Sequence, residues 1–367
     1  MQILIVTAPC DADAISIETV LRAKGVDAHR VFLSELGHSS DLSYKLSSNV
    51  LDLTAADGEL ARAKPDVVWV RKPRPPKPPL DMDEQDTAAV HAENVNAAHA
   101  ILHSWAKDAR MVNPMKGREF GRSKVAQLRC ALEIGFKVPE TLITNQKADV
   151  IAFIEKDNQP TIFKTFAPVR YHDGGNFRPV YATQITATDL ADEPDRMHQV
   201  SIFQKRVEKS FEIRALFLGS YVVAVRLETQ LHENSSVDSR RAAPEGVQGS
   251  YIELPDAVKM QCVELMQTMD IETASFDLIV TPEGDYVFLE FNETGQCLYL
   301  EQYEGVPRVL EAYCQFLMHN GNPFMFEPDW NKARNSSLEH AAASHAIAMK
   351  ENKQYHSRVS EVTALRL

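Results

Sequence analysis

Two short apolar runs on either side of a turn signal constrain this chain more than any other feature. Residues 276–280 (FDLIV) and 286–291 (YVFLEF) are rich in β-branched and aromatic residues, and TPEGD separates them. Strand-like runs around such a turn are typical of a β-hairpin. Glu290 lies within the second apolar run, where a carboxylate costs free energy unless it is paired or bound to a metal. The predicted hairpin therefore carries a carboxylate that needs a partner.

The register of this hairpin decides which side chains share a face. A two-residue turn at Glu283-Gly284 would place Asp277 opposite Glu290, with Asn292 on the same face as Glu290. A three-residue turn that begins at Pro282 would put the two carboxylates on opposite faces. Opposed carboxylates destabilise a hairpin by about 0.2–1 kcal/mol unless a cation offsets them, and Mg²⁺ prefers one or two carboxylates plus nucleotide phosphates. The two-residue register predicts a magnesium site, whereas the simpler interpretation is a hairpin with solvated acidic residues.

Strand-like and helix-like segments alternate before this hairpin. Residues 2–7, 26–33 and 65–73 read as strands, and residues 84–106 read as a long helix. This alternation favours a parallel α/β domain, although its first turn lacks the glycines of a dinucleotide site. The predicted segments are an N-terminal α/β domain (1–112), a central domain (113–203), a C-terminal domain with the hairpin (204–330) and a polar, partly helical tail (331–367).

Charge and cysteine content exclude several classes of protein. The formal charge is −12, from 39 basic and 51 acidic residues, which argues against a general surface for nucleic acid or an anionic membrane. The five cysteines lack CxxC spacing, which argues against a zinc site or a disulfide framework. The start MQILIVT has no signal-peptide pattern, and no apolar run reaches membrane-spanning length. We predict a cytoplasmic protein without membrane or nucleic-acid partners.

Several basic residues occupy positions where they could bind phosphate or carboxylate. Lys164 interrupts the strand-like run TIFKTF, and Lys124 begins a helix, where exposed backbone N–H groups favour an anion. Residues 201–207 (SIFQKRV) could form a connecting strand that offers backbone donors and acceptors to an adenine edge. Each feature alone also suits a solvent-exposed or structural role. The same two interpretations apply to Glu212, Arg214, Arg226 and Arg240.

Taken together, these residues resemble the ATP-grasp superfamily and, within it, the microviridin-type ligases that macrocyclise ribosomal peptides (graspetides). The resemblance extends to about residue 330. It rests on these segments in order: VWVRKP, MVNP, SKVAQLRCALEIGFKVPETLITN, IFKTF, FEIRALFLG, VDSRR and FDLIVTPEGDYVFLEFNETGQCLYLE.

The resemblance implies an ATP-grasp fold of class α/β (α+β), with an N-terminal parallel α/β domain, a central lid domain and a C-terminal antiparallel-sheet domain. ATP and Mg²⁺ would bind between the last two domains, under a flexible loop at HDGGNFRP. The implied ATP contacts are Lys124, Lys164, Gln204, Lys205, Arg206, Val207 and Glu212. The implied magnesium ligands are Asp277, Glu290 and Asn292, and the implied catalytic arginines are Arg214, Arg226 and Arg240.

The activity implied is that of an ADP-forming ligase, which activates a carboxylate as an acyl phosphate and joins it to an amine or alcohol. Its partner would be a precursor peptide with leader and core, and the protein would be a homodimer. One alternative is a ligase that joins an amino acid to a peptide or small metabolite, similar to ribosomal-protein glutamate ligases or glutathione synthetase. Another is a non-catalytic, ATP-binding regulatory module.

One position departs from the pattern of this branch. Asn-Pro-Asn-Gly commonly follows the metal-binding glutamate there, whereas this chain has Asn292-Glu293-Thr294-Gly295. Because Asn292 and Gly295 are retained, the resemblance still implies metal binding. Glu293 is expected to place an extra negative charge beside the site, where it could alter the choice of substrate.

Overall fold

A computed structural model describes most of the chain. The described residues are 1–38, 40–48, 50–55, 58, 60–78, 82–166, 170–173, 176–229, 247–294 and 297–332. The predicted tail after residue 332 therefore lies outside the described residues. Within the described ranges, no helix combines the length and the apolar character needed to cross a membrane.

The helices and strands of the described residues are numbered in chain order. The helices are α1 (Ala12–Ala23), α2 (Glu84–Asp108), α3 (Met115–Gly121), α4 (Lys124–Ile134), α5 (Lys147–Glu155), α6 (Asp256–Thr268) and α7 (Val309–Met318). The strands of the N-terminal part are β1 (Gln2–Val6), β2 (Asp27–Val31), β3 (Leu42–Lys45), β4 (Val50–Thr54), β5 (Leu60–Ala63), β6 (Val67–Val70) and β7 (Arg110–Val112). Those of the middle part are β8 (Thr141–Gln146), β9 (Thr161–Lys164), β10 (Arg170–Asp173), β11 (Asn176–Pro179), β12 (Thr183–Ile185) and β13 (Arg196–Lys205). The last strands are β14 (Phe211–Leu218), β15 (Tyr221–Leu227), β16 (Gly249–Ile252), β17 (Thr273–Val280) and β18 (Tyr286–Asn292).

A parallel sheet in the order β2-β1-β6-β7 forms the N-terminal part, as the sequence predicts. Its central strands are buried on both faces, which explains their nearly continuous apolar sequence. Ile3 and Ile5 belong to the same core cluster as residues of α1 and α7, whereas Leu4 and Val6 belong to the cluster that contains α2. A separate antiparallel sheet, β3-β4-β5, lies between β2 and β6 along the chain, where the sequence analysis places no strand.

The middle sheet has the order β12-β9-β13-β8, with antiparallel pairing throughout. Helix α5 packs against it and contributes Val150 and Phe153 to a small core cluster that includes Phe203. The segment HDGGNFRP was predicted as a loop. Its described residues instead belong to an antiparallel pair, β10 with β11.

The C-terminal sheet has the order β16-β15-β14-β17-β18 and is antiparallel. One face packs against α4 and α6 through a core cluster that contains Ile213, Ala215 and Phe217. On the other face, Leu216 and Leu218 join the core of the N-terminal sheet. Glu212 and Arg214 lie on that second face too, because residues two apart in a strand point the same way. Along β14 this face therefore changes from polar (Glu212, Arg214) to apolar (Leu216, Leu218). The polar side chains are not buried in either core and can contact a ligand.

Candidate active site

The acidic hairpin is formed by β17 and β18, and Asp277 pairs with Glu290 as predicted. The predicted two-residue turn, however, is wrong. The backbone N–H of Thr281 donates to the carbonyl of Asp285 at 2.9 Å, which leaves Pro282, Glu283 and Gly284 as a three-residue turn. Gly284 takes the left-handed conformation (φ +87°) that such a turn favours at its last position. A regular hairpin with this turn would separate the two carboxylates.

A β-bulge at Leu289 restores the pairing. Leu278 pairs with Phe288 and Asp277 pairs with Glu290, so Leu289 is the extra residue on β18. Phe288 and Phe291 both lie in the core shared with α4 and α6, which regular alternation over three residues would not allow. Leu289 and Glu290 must then both face the polar side of the sheet. The bulge thus puts an apolar side chain and a carboxylate next to each other on the same face.

Two cations offset the paired carboxylates. Arg214 pairs with Asp277 across β14 and β17, and its Nη1 lies 2.5 Å from Asp277 Oδ1. Burial alone would lower the pKa of the Arg214 guanidinium, but Asp277, Tyr299 and Glu290 outweigh burial and hold that pKa above its ordinary value. On the other side, Lys124 Nζ lies 3.0 Å from Glu290 Oε2. Each carboxylate of the pair therefore has a cation within 3.0 Å.

Lys124 reaches this cluster because it is the first residue of α4. The Ser123 side chain caps the helix by accepting a hydrogen bond from Ala126 N at 3.2 Å. Helix α4 itself packs against the C-terminal sheet through Leu128 and Ala131, although it lies in the predicted central range. Lys124 Nζ also donates to the carbonyl of Thr165, just after β9, at 3.3 Å. One ammonium group therefore contacts both the acidic hairpin and the segment that directly follows β9 of the middle sheet.

A small cavity of about 50 Å³ lies beside the cluster, where the middle sheet meets the C-terminal sheet. Six of the seven residues that the resemblance assigns to ATP line this cavity: Lys164, Gln204, Lys205, Arg206, Val207 and Glu212. The other lining residues are Pro139, Ile162, Lys209, Ile279 and Leu289. Buried Gln204 donates from Nε2 to Thr141 Oγ1 at 2.9 Å, while its Oε1 has no hydrogen-bond partner among the described residues. The Lys205 ammonium lies 2.8 Å from Asp157 Oδ1 and above the Phe153 ring, so its side chain points towards α5.

Comparison with known proteins identifies the architecture. The chain matches no family model, and no curated protein matches it. Among solved structures it is similar to a RiPP-associated ATP-grasp ligase of Chryseobacterium gregarium in complex with ADP and a leader and core peptide. That likeness has a TM-score of 0.75 at 24% identity and covers 82% of this chain and 91% of the ligase. This chain has the ATP-grasp fold.

Two further structures support the assignment of the ATP-grasp fold. The macrocyclase MdnC of Microcystis aeruginosa MRC, bound with the precursor peptide MdnA, is 23% identical with a TM-score of 0.76, over 87% of this chain and 99% of MdnC. The ATP-grasp ligase PsnB, complexed with minimal precursor, Mg and ADP, is 20% identical with a TM-score of 0.67, over 86% of this chain and 96% of PsnB. At these identities the likeness establishes the fold, and the site is argued from this chain's own residues.

The oxygen atoms on this face of the hairpin are of the kinds that Mg²⁺ prefers. Asp277 and Glu290 supply two carboxylates, and Asn292, which pairs with Ser275 at the exposed end of β18, supplies an amide oxygen. The described residues contain no group of three or more His, Cys, Asp or Glu side chains arranged for a metal. A set of two carboxylates and an amide suits an ion that takes its remaining ligands from phosphates and water.

One of the predicted catalytic arginines, Arg226, lies away from this cluster. Arg226 pairs with Ile213, which lies on the opposite face of the sheet from Arg214. Its guanidinium lies 3.9 Å from the Phe211 ring centroid and 2.5 Å from Glu228 Oε1. Strand alternation therefore places Arg226 and Asp277 on opposite faces of the sheet. The face on which Arg226 lies depends on its strand pairing, which the sequence alone does not show. Arg240 lies outside the described residues.

Glu293 does not place a free charge beside the predicted metal donors, contrary to the expectation from sequence. Its carboxylate is buried and lies 2.6 Å from Arg118 Nη1 and 3.1 Å from Arg122 Nε. Burial raises the pKa of Glu293, and the two arginines oppose that effect. Burial likewise lowers the pKa of Arg118 to about 10, against the opposing effect of Glu293. Neither arginine is among the predicted site residues, and the basic segment 117–122 (GREFGR) is the sequence signal that could have pointed to them.

Proposed function

We propose that this protein is an ATP-dependent ligase that forms ω-ester or ω-amide links between side chains of a ribosomally made precursor peptide. The observation that carries the proposal is the ionic cluster of Lys124, Arg214, Asp277 and Glu290 beside the cavity at the junction of two sheets. Carboxylate activation by ATP needs this combination, because cations must approach the transferring phosphoryl group while carboxylates hold a divalent ion.

The nucleotide would bind in the cavity between the sheets. Residues Gln204 to Val207 would present their backbone to the adenine, and Gln204 Oε1 would accept a hydrogen bond from the adenine amino group. Glu212, which pairs with Lys209, would approach the ribose. Lys124 and Lys164 would then lie at the phosphates. A cavity of about 50 Å³ is smaller than a typical ligand pocket, so the two sheets would have to separate slightly as ATP enters.

The charges explain how activation could proceed. A carboxylate that approaches the γ-phosphate brings like charges together, and Lys124, Lys164 and Arg214 would offset this repulsion. Magnesium held by Asp277, Glu290 and Asn292 would neutralise charge on the phosphate oxygens. Transfer of the γ-phosphoryl group to the carboxylate gives an acyl phosphate and ADP. A hydroxyl or amine of the peptide then attacks the acyl carbon, and inorganic phosphate leaves.

The middle sheet would act as a lid over this reaction. The Thr165 carbonyl, just after β9 of this sheet, accepts a hydrogen bond from Lys124. Movement of the sheet would therefore shift Lys124 at the phosphate end of the site. Exclusion of water would protect the acyl phosphate from hydrolysis. The peptide substrate is supported by the solved neighbours, which hold precursor peptides. We further propose that the protein is cytoplasmic and a homodimer, and light scattering on the purified protein would test the dimer.

Co-expression with short peptides encoded beside the gene, followed by intact-mass measurement, tests this function. We expect the peptide to lose one water for each link, with ADP formed in step. Glu290→Ala should abolish linking, because it removes a metal donor and the partner of Lys124. Glu283→Ala is the matched control, since Glu283 is a glutamate of the same hairpin at the exposed turn.

Each other outcome has a distinct meaning. Linking by Glu290→Ala at the rate of the unchanged protein would contradict the assigned site. A gain of mass on the acceptor would instead favour a ligase that adds an amino acid. Nucleotide binding without ADP formation, over a panel of carboxylate substrates, would favour a regulatory module.

A further inference from the structure

The segment that follows the last metal donor is held by a buried ion pair. Glu293 directly follows Asn292, and its side chain is only 6% exposed. Arg118, whose side chain is 5% exposed, lies 2.6 Å from one carboxylate oxygen. Arg122, which is 61% exposed, lies 3.1 Å from the other. Two guanidinium groups therefore form ion pairs with one carboxylate just after the end of β18.

Arg118 belongs to a helix that cannot easily move. A Cβ atom on Gly117 would lie 1.7 Å from the carbonyl oxygen of Asp270, so α3 touches the backbone before β17. The Arg118 guanidinium also donates to the carbonyl of Val70 at the end of β6. Helix α3 is thus pressed against both the C-terminal and the N-terminal parts of the molecule, and it can serve as a fixed support for Glu293.

The same helix leads directly to the cationic side of the site. Arg122 follows α3, and Lys124 begins α4 after the capping residue Ser123. The pair between Glu293 and Arg118 therefore joins the chain beside the metal donor Asn292 to the chain that carries Lys124. Two further contacts hold the same segment through its backbone: Asn113 Nδ2 donates to the Glu293 carbonyl at 3.3 Å, and Arg71 Nη1 donates to the Thr294 carbonyl at 2.9 Å.

We propose that Glu293 and Arg118 are positioning residues, which set the place of the metal donors relative to Lys124. The inference deepens the proposed function and rests on it. Neither residue lines the cavity between the two sheets. They act through Asn292 and Lys124, as the outer partners of metal ligands do in other proteins. Buried ion pairs add little to stability compared with apolar pairs of similar volume, so the proposed contribution of this pair is a specific geometry.

Metal-dependent nucleotide binding tests this proposal without using catalysis. The probe is Mn²⁺ with a non-hydrolysable ATP analogue, titrated by calorimetry, with thermal unfolding measured on each variant. We expect Glu293→Gln and Arg118→Met each to weaken binding by about tenfold or more, the usual effect of losing an outer partner of a metal ligand. Arg122→Gln should have a smaller effect, because Arg122 is largely exposed.

Glu18→Gln is the matched control for a purely structural effect. Glu18 and Arg30 form a comparable buried pair, with 2.6 Å between Oε2 and Nε, in the N-terminal part of the molecule. We expect this change to lower the unfolding temperature while leaving affinity for the metal–nucleotide probe unchanged. If Glu293→Gln behaves as Glu18→Gln does, the positioning role is overturned.

A double variant keeps the test decisive if the single variants fold poorly. Glu293→Met with Arg118→Met replaces the ion pair by apolar side chains, a change that buried pairs often tolerate. The folded double variant should still bind the probe about tenfold more weakly. Unchanged affinity there would overturn the inference, whereas failure of the unaltered protein to bind the probe would overturn the proposed function instead.

Discussion

Lys124 illustrates at the residue scale how one side chain can serve two partners. Its ammonium lies 3.0 Å from Glu290 Oε2, close to where a divalent ion bound by Glu290 would lie. A metal that binds there must share or displace this cation. Phosphates that arrive with the metal give the released ammonium a new partner. If Glu290 binds the metal as proposed, the ion pair would favour joint binding of metal and nucleotide over binding of the metal alone.

Lys124→Met tests this competition through two effects of opposite sign. Without nucleotide, we expect Mn²⁺ to bind up to about fivefold more tightly, the equivalent of one partly exposed ion pair. With the metal present, we expect the ATP analogue to bind about tenfold or more weakly, since a charge-assisted contact to phosphate is lost. Lys116→Met is the control, because Lys116 is an exposed lysine on the neighbouring helix. Weaker Mn²⁺ binding without nucleotide would refute the competition.

The acidic hairpin shows at the element scale what the sequence can and cannot specify. Its strands, its turn region and the pairing of Asp277 with Glu290 follow from residue pattern. The three-residue turn and the bulge at Leu289 each shift the register by one residue, and their effects cancel. Counting outward from a two-residue turn therefore predicts the correct partner for Asp277, although the turn length that it assumes is wrong. Local pattern does not reveal a bulge that the packing of Phe288 and Phe291 against the core requires.

The remaining differences have the same origin in long-range packing. The parallel sheet and α2 were predictable because hydrophobic periodicity is a local property. The face on which Arg226 lies depends on its pairing with Ile213, and the partner of Glu293 depends on where α3 docks. Both are tertiary contacts between distant segments. Strand alternation and pairing bring Asp277, Glu290 and Arg214 together, and the roles assigned to them stay predictions.

Gly284 gives a prediction for the turn itself. Its φ of +87° is unfavourable for residues with a side chain, and a Cβ there would meet nothing within 4 Å. Gly284→Val should therefore destabilise the protein through the backbone alone, by about 1–2 kcal/mol, and Gly284→Asn by less. Urea unfolding measures both changes, with Glu283→Val as the neighbouring control. Affinity for Mn²⁺ and nucleotide should stay unchanged, because the bulge at Leu289 lies nearer than the turn to Glu290. A loss of affinity would show that the turn sets the position of Glu290.

At the scale of the whole molecule, the described residues pack around unequal cores. The N-terminal sheet and the C-terminal sheet share one cluster, in which Ile5 and Trp69 belong to the first and Leu216 and Val225 to the second. The middle sheet and α5 have a small cluster of their own. The predicted boundaries at residues 112 and 203 remain proposals, but the packing already separates a large joint body from a small middle part. The candidate site lies between the two.

This division predicts how the molecule opens. Amides of β8, β9 and β13 should exchange hydrogen faster than those of β14 and β17, because a smaller core gives a lower free energy of local opening. Addition of Mg²⁺ and a non-hydrolysable ATP analogue should slow exchange most in the middle sheet, since the nucleotide would join it to the C-terminal sheet across the cavity. Hydrogen exchange read by mass spectrometry measures both effects, and the Glu290→Ala variant provides the control for metal-dependent closure. Equal protection of the two sheets in the free protein, or slowing confined to the C-terminal sheet, would exclude the middle sheet as the moving lid.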